Sequence, residues 1–271
     1  MAKNNAFDYC KIGPHAKVKL HDWDPAIDRG FDGSKEDAEK ELSALTKELN
    51  AYQELLYAEH KHKILVVLQG IDASGKDGVV RHVFGGLNPQ GVRVVSFKTP
   101  STKELDHDYL WRIHQEVPAK GEIVVFNRSH YEDVLIVRVH GLVAREVWEK
   151  RYEHMRDFER MLTDEGTTVL KFFLWIDQEE QQKRLKERLA RPEKRWKLAA
   201  SDLAERKFWP EYIKAYEDML SRTSSEDAPW HVIPANKKWY RNLVVARIML
   251  NKFKELKMSY PDPKGLADLE V

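Results

Sequence analysis

The sequence has a single cysteine, no long apolar run and almost no net charge. Because Cys10 is the only cysteine among 271 residues, neither an intrachain disulfide nor a cysteine metal site can form. No segment approaches the roughly 20 apolar residues that span a bilayer, and the N-terminus lacks the apolar stretch of a signal peptide. Lys and Arg number 45 against 44 Asp and Glu, so the overall charge favours neither nucleic acid nor a membrane as a partner. We therefore expect a cytoplasmic protein whose anion sites arise from local clustering.

Short apolar segments rich in β-formers alternate with helical stretches along the chain. They cover residues 64–69, 92–97, 122–127, 168–176 and 230–233. Their nearly continuous hydrophobicity predicts a five-stranded parallel sheet covered by helices on both faces, that is, a three-layer α/β/α fold. In such sheets ligands bind beyond the carboxyl ends of the strands, and every polar cluster considered below follows one of these segments.

The two ends of the chain differ from this alternating pattern. Residues 1–33 show no periodicity and predict an irregular N-terminal arm before a domain that covers 34–271. Ser34 and Asp37 are placed to begin a helix, although a capping box usually has Glu or Gln at the second position. The helix should end near His60, since apolar residues recur at three- and four-residue steps at Leu42, Leu45, Leu49, Tyr52 and Leu56. Leu243, Val244 and Met249 predict a terminal helix that packs on its own core or supports self-association.

The first predicted strand runs into a phosphate-binding loop. The loop begins at Gly70 and closes with Gly75 and Lys76, which is the spacing of a P-loop. Its glycines allow backbone N–H groups to surround an anion, and the following helix N-terminus adds positive field. Lys76 should reach the outer phosphates. A glycine-rich turn without a ligand is the alternative, but strand, loop and helix occur in the required order.

Two carboxylates distinguish this loop from the usual one. Asp77 replaces the Ser or Thr that normally follows the lysine, and Asp72 lies inside the loop. Two negative charges would repel a phosphate unless a divalent cation lies between them. Mg²⁺ prefers oxygen ligands of this kind, so we predict a Mg²⁺ site, with Mn²⁺ as an alternative ion.

A second polar cluster follows the strand at 122–127. Asn127 stands where many P-loop proteins carry an Asp that holds Mg²⁺ or its water, and Glu132 or Asp133 could supply the missing charge. Arg128 should point into the same crevice and bind phosphate oxygens. These side chains could also simply cap the helix that begins near His130, which is compatible with a role in the site.

A third cluster follows the strand at 92–97. Lys98, Thr99 and Pro100 directly after a strand beside a P-loop predict an acceptor phosphate site. Residues further on extend this candidate nucleotide site, and they are Asp108, Trp111 and Arg112. Trp111 could stack on a base, although a tryptophan at helical spacing more often belongs to a core.

Residues 183–197 carry eight basic and two acidic side chains. Such a run is commonly a solvated helix face. Here it follows the fourth strand, where P-loop kinases carry a helical lid that neutralises phosphates and excludes water. We predict a lid over about residues 178–215, with more cations than one triphosphate needs and therefore suited to a longer polyanion.

Several motifs together resemble the family-2 polyphosphate kinases. They are GIDASGKDG at 70–78, FKTPS at 97–101, NRSHYEDV at 127–134, RPEKRWK at 191–197 and WHVIPANKK at 230–238. The resemblance implies a P-loop kinase-like core with a helical lid that moves phosphoryl groups between inorganic polyphosphate and nucleotides, using Mg²⁺. It is closest in type to the branch that accepts AMP as well as ADP.

The resemblance also implies roles for individual residues. Asp72, Asn127 and Glu132 would hold the metal, and together with Lys76 and Arg128 they would form the catalytic set. Further phosphate and polyphosphate contacts are expected from Gly70, Ala73, Ser74, Gly75, Asp77, Gly78, Arg81, Lys98, Arg138, Arg188, Arg191 and Lys194.

Three functions are therefore under consideration. The first is reversible transfer between polyphosphate and AMP or ADP, with adenine or guanine nucleotides as substrates, in a homo-oligomer that is a dimer or tetramer. The second is an ATP-dependent nucleoside monophosphate kinase of the thymidylate-kinase-like type. The third, motivated by Asp77 and Asn127, is a binding scaffold with a degenerate P-loop.

Overall fold

A computed structural model describes residues 7–197 and 200–262 of the chain. Within these residues five parallel strands form one sheet in the order β2-β3-β1-β4-β5. The strands are β1 (Lys63–Gln69), β2 (Val92–Ser96), β3 (Ile123–Asn127), β4 (Thr167–Trp175) and β5 (Trp230–Pro234). The predicted parallel sheet is confirmed, and each strand lies within one residue of its predicted bounds.

Ten α-helices occur in the same part of the chain. They are α1 (Lys35–Glu59), α2 (Lys76–Val79), α3 (Thr102–Leu105), α4 (Trp111–His114), α5 (Ile136–Val139), α6 (Arg145–Asp164), α7 (Gln178–Ala190), α8 (Ala200–Glu205), α9 (Trp209–Thr223) and α10 (Lys238–Glu255). A π-helical turn, Val80–Phe84, continues α2, and 3₁₀ turns at His130–Val134 and Pro192–Lys197 follow β3 and α7.

The sheet divides the core into two halves, as alternation along a strand requires. Ile64, Val66 and Leu68 of β1 face one cluster, which contains the apolar residues of α1 and α10. Leu65 and Val67 face the other cluster, which contains those of α6 and α9. All five side chains are fully buried. The predicted three-layer α/β/α architecture is therefore confirmed.

The first described part of the arm is irregular, as predicted, but it is tied to the core. It forms 3₁₀ turns at Asp8–Cys10 and Leu20–Asp22. The Ile12 N–H donates to the Trp230 carbonyl at 2.8 Å, and Lys11 forms an antiparallel bridge with His231. The arm therefore covers part of the free edge of β5, where unpaired backbone groups would otherwise be exposed.

Both predicted terminal helices form, and both pack inside the chain. Ser34 and Asp37 make a complete capping box, so the shorter Asp side chain serves in place of Glu or Gln. Val244 and Met249 are fully buried in the cluster that also contains α1 residues, and Leu243 is fully buried as well. Of the two alternatives for this helix, packing on its own core is the one observed. Among the described residues, no helix has the length and apolar character needed to cross a membrane.

The described residues of the predicted lid region contain α7, the 3₁₀ turn Pro192–Lys197, α8 and the first part of α9. α9 continues without a break past residue 215, and beyond it buries Tyr216, Met219 and Leu220 against the sheet. The C-terminal limit of the lid is therefore not marked by a change of structure, and the division into arm, domain and lid stays a prediction.

His231 on β5 should make the fold sensitive to acid. Its ring is buried and its Nδ1 lies 3.3 Å from the Lys171 carbonyl, and burial lowers its pKa from 6.5 to about 4. Since the unfolded chain takes up this proton below pH 6.5 and the folded chain does not, stability is lost as the pH falls through that window. Between pH 7 and pH 5 we expect a loss of about 2 kcal/mol from this group.

Urea unfolding of the wild type and of His231→Gln at the two pH values measures this contribution. The variant should lose less stability on acidification, whereas His82→Gln, at an exposed position, should behave as the wild type does. Equal acid sensitivity in wild type and His231→Gln would contradict the assignment.

Candidate active site

The P-loop connects β1 to α2 with the backbone geometry that an anion cradle requires. Gly70 and Gly75 have φ angles of 151° and 108°, which L side chains rarely adopt. A Cβ at Gly70 would also lie 2.7 Å from both the Leu174 carbonyl oxygen and Ser74 Oγ. Ala73 has a left-handed φ of 68° without being glycine. The predicted order of strand, loop and helix is confirmed.

Two side chains of α7 support this loop from behind, and neither was singled out from the sequence. Arg184 donates to the carbonyls of Ala73 and Ser74, both at 2.9 Å. Gln181 donates to the Asp72 carbonyl at 3.1 Å. Both side chains are buried on one face of the helix together with Leu185. The i, i+3, i+4 spacing of residues 181, 184 and 185 indicates a common buried face of the helix. Because Arg184 belongs to a strongly basic run, the sequence suggests a solvent-exposed residue instead.

Lys76 is held inside the loop. Its Nζ donates to the Gly70 carbonyl at 2.5 Å, and the side chain is only 8% exposed. Burial and the nearby Arg128 lower its pKa to about 8, against the opposing attraction of Asp72, Glu132 and Asp77. The ion pairs of Arg128 with Asp72 and Glu132 show that the sequence-predicted charged residues of the two strand ends lie together.

Arg128 joins the two predicted carboxylates. Its Nη2 lies 2.6 Å from Asp72 Oδ1, and its Nη1 lies 3.9 Å from Glu132 Oε2. Burial lowers the pKa of the guanidinium, but the two carboxylates outweigh burial and raise it above its ordinary value. Arg128 has a left-handed φ of 66°, a conformation that non-glycine residues adopt at a cost and that occurs often at functional sites.

The two departures from the usual P-loop pattern contact each other. Asn127 Nδ2 donates to Asp77 Oδ1 at 2.9 Å. In many proteins of this fold a neutral Ser or Thr follows the loop lysine and an Asp lies at the end of the strand. Here the first position is a carboxylate and the second is a neutral amide. The two positions together still supply one carboxylate, which argues against a degenerate loop.

Two residues proposed from the sequence form ion pairs with side chains outside the predicted set. Asp133 is ion-paired with Arg151 at 3.1 Å, and burial raises its pKa to about 6 despite the opposing effect of arginines. It therefore cannot replace Glu132 as the compensating carboxylate. Arg138 donates to Asp218 at 2.7 Å and to the Tyr152 hydroxyl at 3.1 Å, so its guanidinium contacts α9 and α6, and its role in binding phosphate stays a prediction.

The candidate acceptor segment is organised by Arg112. This buried arginine donates to the Lys98 carbonyl at 2.8 Å and stacks over the Phe97 ring, so it positions the segment containing Thr99 and Pro100. Trp111 is half-buried, stacks on His107 at a centroid distance of 4.1 Å, and borders a cleft of about 360 Å³ that Asp108 also lines. A larger groove of about 770 Å³ contains none of the predicted site residues.

The cations predicted for the polyanion are accessible. Arg81, Lys98, Arg191 and Lys194 are exposed and Arg188 is half-exposed. Arg188 lies on α7, Arg191 is the C-cap of this helix and Lys194 lies on the following 3₁₀ turn. Their role in binding polyphosphate stays a prediction.

The donor set is compatible with a hard divalent cation. Within residues 7–197 and 200–262 no cluster of three or more His, Cys, Asp or Glu side chains has metal-binding geometry. The predicted set instead combines the Asp72 and Glu132 carboxylates with the neutral Asn127, and all three are partly accessible. Mg²⁺ commonly binds one or two carboxylates and completes its shell with waters and substrate phosphates, so this set fits Mg²⁺.

Lys76 predicts how phosphate binding should depend on pH. A bound polyphosphate stabilises the charged amine, so its pKa of about 8 in the free protein rises on binding and a proton is taken up. Above pH 8 the dissociation constant for tripolyphosphate should therefore increase, up to about tenfold per pH unit.

Titration calorimetry between pH 7 and pH 10 tests this expectation. Lys76→Arg, which keeps its charge throughout this range, should show a much flatter response. An equally steep response in this variant would assign the proton to another group.

Comparison with known proteins agrees with the geometry. A family profile described as polyphosphate kinase 2 matches residues 32–261. The chain is 56% identical over 258 residues to the AMP/ADP-polyphosphate phosphotransferase of Meiothermus ruber, covering 95% of this chain and 97% of that one. It is 44% identical to the ADP-polyphosphate phosphotransferase of Rhodopseudomonas palustris, covering 93% and 91%.

A solved structure gives the same result. The crystal structure of polyphosphate kinase 2 from Arthrobacter aurescens matches with a TM-score of 0.92 and 43% identity, covering 97% of this chain and 93% of that chain. The P-loop, the charged cluster at its mouth and these matches agree: the chain belongs to the polyphosphate kinase 2 family.

Proposed function

We propose that this protein catalyses reversible phosphoryl transfer between inorganic polyphosphate and nucleoside mono- and diphosphates. The observation that carries this most directly is the cluster of Asp72, Lys76, Arg128 and Glu132 at the mouth of a P-loop, in a chain similar over nearly its whole length to polyphosphate phosphotransferases. The relatives named above offer no support for an ATP-dependent nucleoside monophosphate kinase.

The reaction needs alignment and charge neutralisation rather than a covalent intermediate. An oxygen of the acceptor's terminal phosphate attacks the terminal phosphorus of polyphosphate, and the bond to the next bridging oxygen breaks, which releases a chain shorter by one phosphate. The attacking oxygen is already ionised, so no general base is required. Lys76 and Arg128 neutralise charge on the transferring group, and the loop backbone fixes its position.

Mg²⁺ would be held by Asp72 and Glu132, with Asn127 as a neutral oxygen donor. When bound, the ion supplies Lewis-acid neutralisation of phosphate charge. Asp72 is ion-paired to Arg128 here, so this chain's own contribution is a carboxylate already oriented toward the loop mouth. Asn127 in turn is oriented by its hydrogen bond to Asp77.

The acceptor would bind at the segment that Arg112 positions. Thr99 and Pro100 follow β2, which pairs with β3, so they lie at the same edge of the sheet as Asn127 and Arg128. The cleft bordered by Trp111 and Asp108 would receive the base. The Meiothermus ruber relative is named for both AMP and ADP, which supports acceptance of both nucleotides by this chain. α7 and the following 3₁₀ turn would close over the phosphates with Arg188, Arg191 and Lys194.

A donor exchange tests the function. Purified protein is given AMP or ADP with Mg²⁺, and either long-chain polyphosphate or ATP. With polyphosphate as the donor we expect ADP and ATP to form from AMP, and ATP to form from ADP. Phosphorylation of AMP by ATP alone would favour the conventional kinase, whereas binding without turnover would favour the scaffold.

Self-association is a separate proposal. We expect a dimer or tetramer, but α10 is largely buried within the chain, so the interface would have to be elsewhere. Light scattering coupled to size-exclusion chromatography measures the state, and a strictly monomeric mass would contradict the expectation.

A further inference from the structure

A second buried arginine, Arg241 of α10, packs directly against the P-loop. Its side chain is 2% exposed, and its Nη1 donates to the Ser74 carbonyl at 3.3 Å. Its other acceptor is the amide oxygen of Asn242, bonded by Nε and Nη2 at 3.1 and 2.8 Å. All of these acceptors are neutral.

No carboxylate among residues 7–197 and 200–262 offsets this charge. Burial lowers the pKa of Arg241 to about 9, and the charged group that acts on it is another cation, Arg184. Arg184 differs in this respect, because it is ion-paired with Glu180 at 2.7 Å. A buried charge without a partner destabilises a fold, so the position of Arg241 calls for a compensating function.

The loop glycines make room for this guanidinium. A Cβ at Gly75 would lie 1.8 Å from Arg241 Nη1, and a Cβ at Gly78 would lie 2.6 Å from Nη2. Gly78 is inside α2, where glycine is a poor helix former, and its backbone does not have the positive φ that would demand glycine. The space that the Arg241 guanidinium occupies is therefore a sufficient reason for glycine at position 78.

The contact also orients a backbone donor. Arg241 and Arg184 converge on the Ser74 carbonyl. Because the peptide bond is planar and trans, the N–H of Gly75 points in the opposite direction from that carbonyl, away from the two guanidinium groups. An N–H aimed this way in a P-loop is one of those that surround a phosphate.

We propose that Arg241 is a positioning residue whose buried positive charge is completed by the phosphate group bound in the loop. This inference rests on the proposed function, since it requires that the loop bind phosphates. The anion serves as the missing counterion of Arg241 from the other side of the loop backbone. The free protein is accordingly less stable than it would be with a neutral side chain at this position, and the bound protein recovers that loss.

The proposal predicts effects of opposite sign in one variant. Arg241→Met removes the unpaired charge while keeping a long apolar stem. The melting temperature of the free protein should stay the same or rise, whereas the affinity for tripolyphosphate should fall about tenfold, as loss of a nearby buried charge implies. In turnover with long-chain polyphosphate, KM should rise more than kcat falls. Arg241→Lys should retain most of the affinity.

A matched control lies six residues further along the same helix. Arg247 is ion-paired with Glu41, with Nη2 at 2.6 Å from Oε2, and lies on the α1 side of α10. Arg247→Met should lower the melting temperature of the free protein and leave the tripolyphosphate affinity unchanged.

The possible outcomes distinguish failure of the proposed function from failure of the role assigned to Arg241. If the wild type does not bind tripolyphosphate, the proposed function and this inference both fail. If the wild type binds and Arg241→Met binds equally well, only the inference is overturned. A variant that unfolds, or that loses free-state stability while keeping the wild-type ligand-induced rise in melting temperature, would show a purely structural role and would also overturn it.

Discussion

Replacement of Lys76 by Ala should lower kcat/KM by at least about 10²- to 10³-fold, as loss of one preorganised donor to a charged transition state does elsewhere. Lys76 is the cation that projects into the P-loop, and its amine is already desolvated and bonded to Gly70. Because the Lys76 amine is buried, a water molecule in its place would neutralise the phosphate charge poorly. The effect should appear in single-turnover measurements with ADP and polyphosphate.

The fold should survive this substitution. A buried amine whose pKa is already lowered to about 8 contributes little to stability in its charged form, so the melting temperature should change by only a few degrees. Lys61→Ala, at an exposed lysine paired with Glu59 at the end of α1, is a control for loss of one positive charge and should keep full activity. Near-normal turnover in Lys76→Ala would remove the P-loop from the mechanism.

The sequence was sufficient for features that depend on periodicity and local spacing. Alternating strand and helix patterns predicted the sheet within one residue at each strand, and the Gly70–Lys76 spacing predicted the loop. Both patterns are local and need no knowledge of what packs against them. Asp72, Arg128 and Glu132 were placed correctly relative to one another because the carboxyl ends of adjacent parallel strands necessarily meet at one edge of the sheet.

The sequence did not predict the ion pairs that join residues far apart along the chain. Asp133 and Glu132 are adjacent, but a turn of 3₁₀ helix sends Asp133 toward Arg151 on α6, and only one of the two can face the loop. Arg138, which the sequence predicted as a phosphate ligand, is ion-paired with Asp218 of α9. Such pairings join residues far apart in sequence, so composition and spacing do not reveal them.

The same limit explains the missed residues. Lys171 on β4 and Glu159 on α6 form a fully buried ion pair at 2.5 Å, although each reads locally as a surface residue of its element. Arg184 and Arg241 likewise read as members of basic surfaces. Their function depends on the loop backbone that they contact, and that contact exists only in the folded chain.

The two carboxylates that the fold separates, Glu132 and Asp133, give the most informative test of the metal site. Asp72→Asn and Glu132→Gln should each lower kcat by about 10²-fold or more at fixed Mg²⁺, since metal neutralisation contributes several kcal/mol to phosphoryl transfer. The Mg²⁺ concentration for half-maximal rate should rise in both variants. Asp133→Asn is the matched control, because Asp133 is a carboxylate adjacent to Glu132 but faces Arg151.

Asp133→Asn should keep the wild-type Mg²⁺ dependence and instead change the stability of the fold. The substitution removes a carboxylate whose ionised form is disfavoured by burial, with a pKa of about 6, but it also replaces the charged acceptor of Arg151 by a neutral amide oxygen. Thermal unfolding at pH 5 and pH 8 measures these two effects on stability separately from catalysis, since neither the buried carboxylate nor its contact with Arg151 is part of the P-loop. If Asp133→Asn shifts the Mg²⁺ requirement while Glu132→Gln does not, the carboxylate assignment is reversed and the 3₁₀ turn must rearrange when substrate binds.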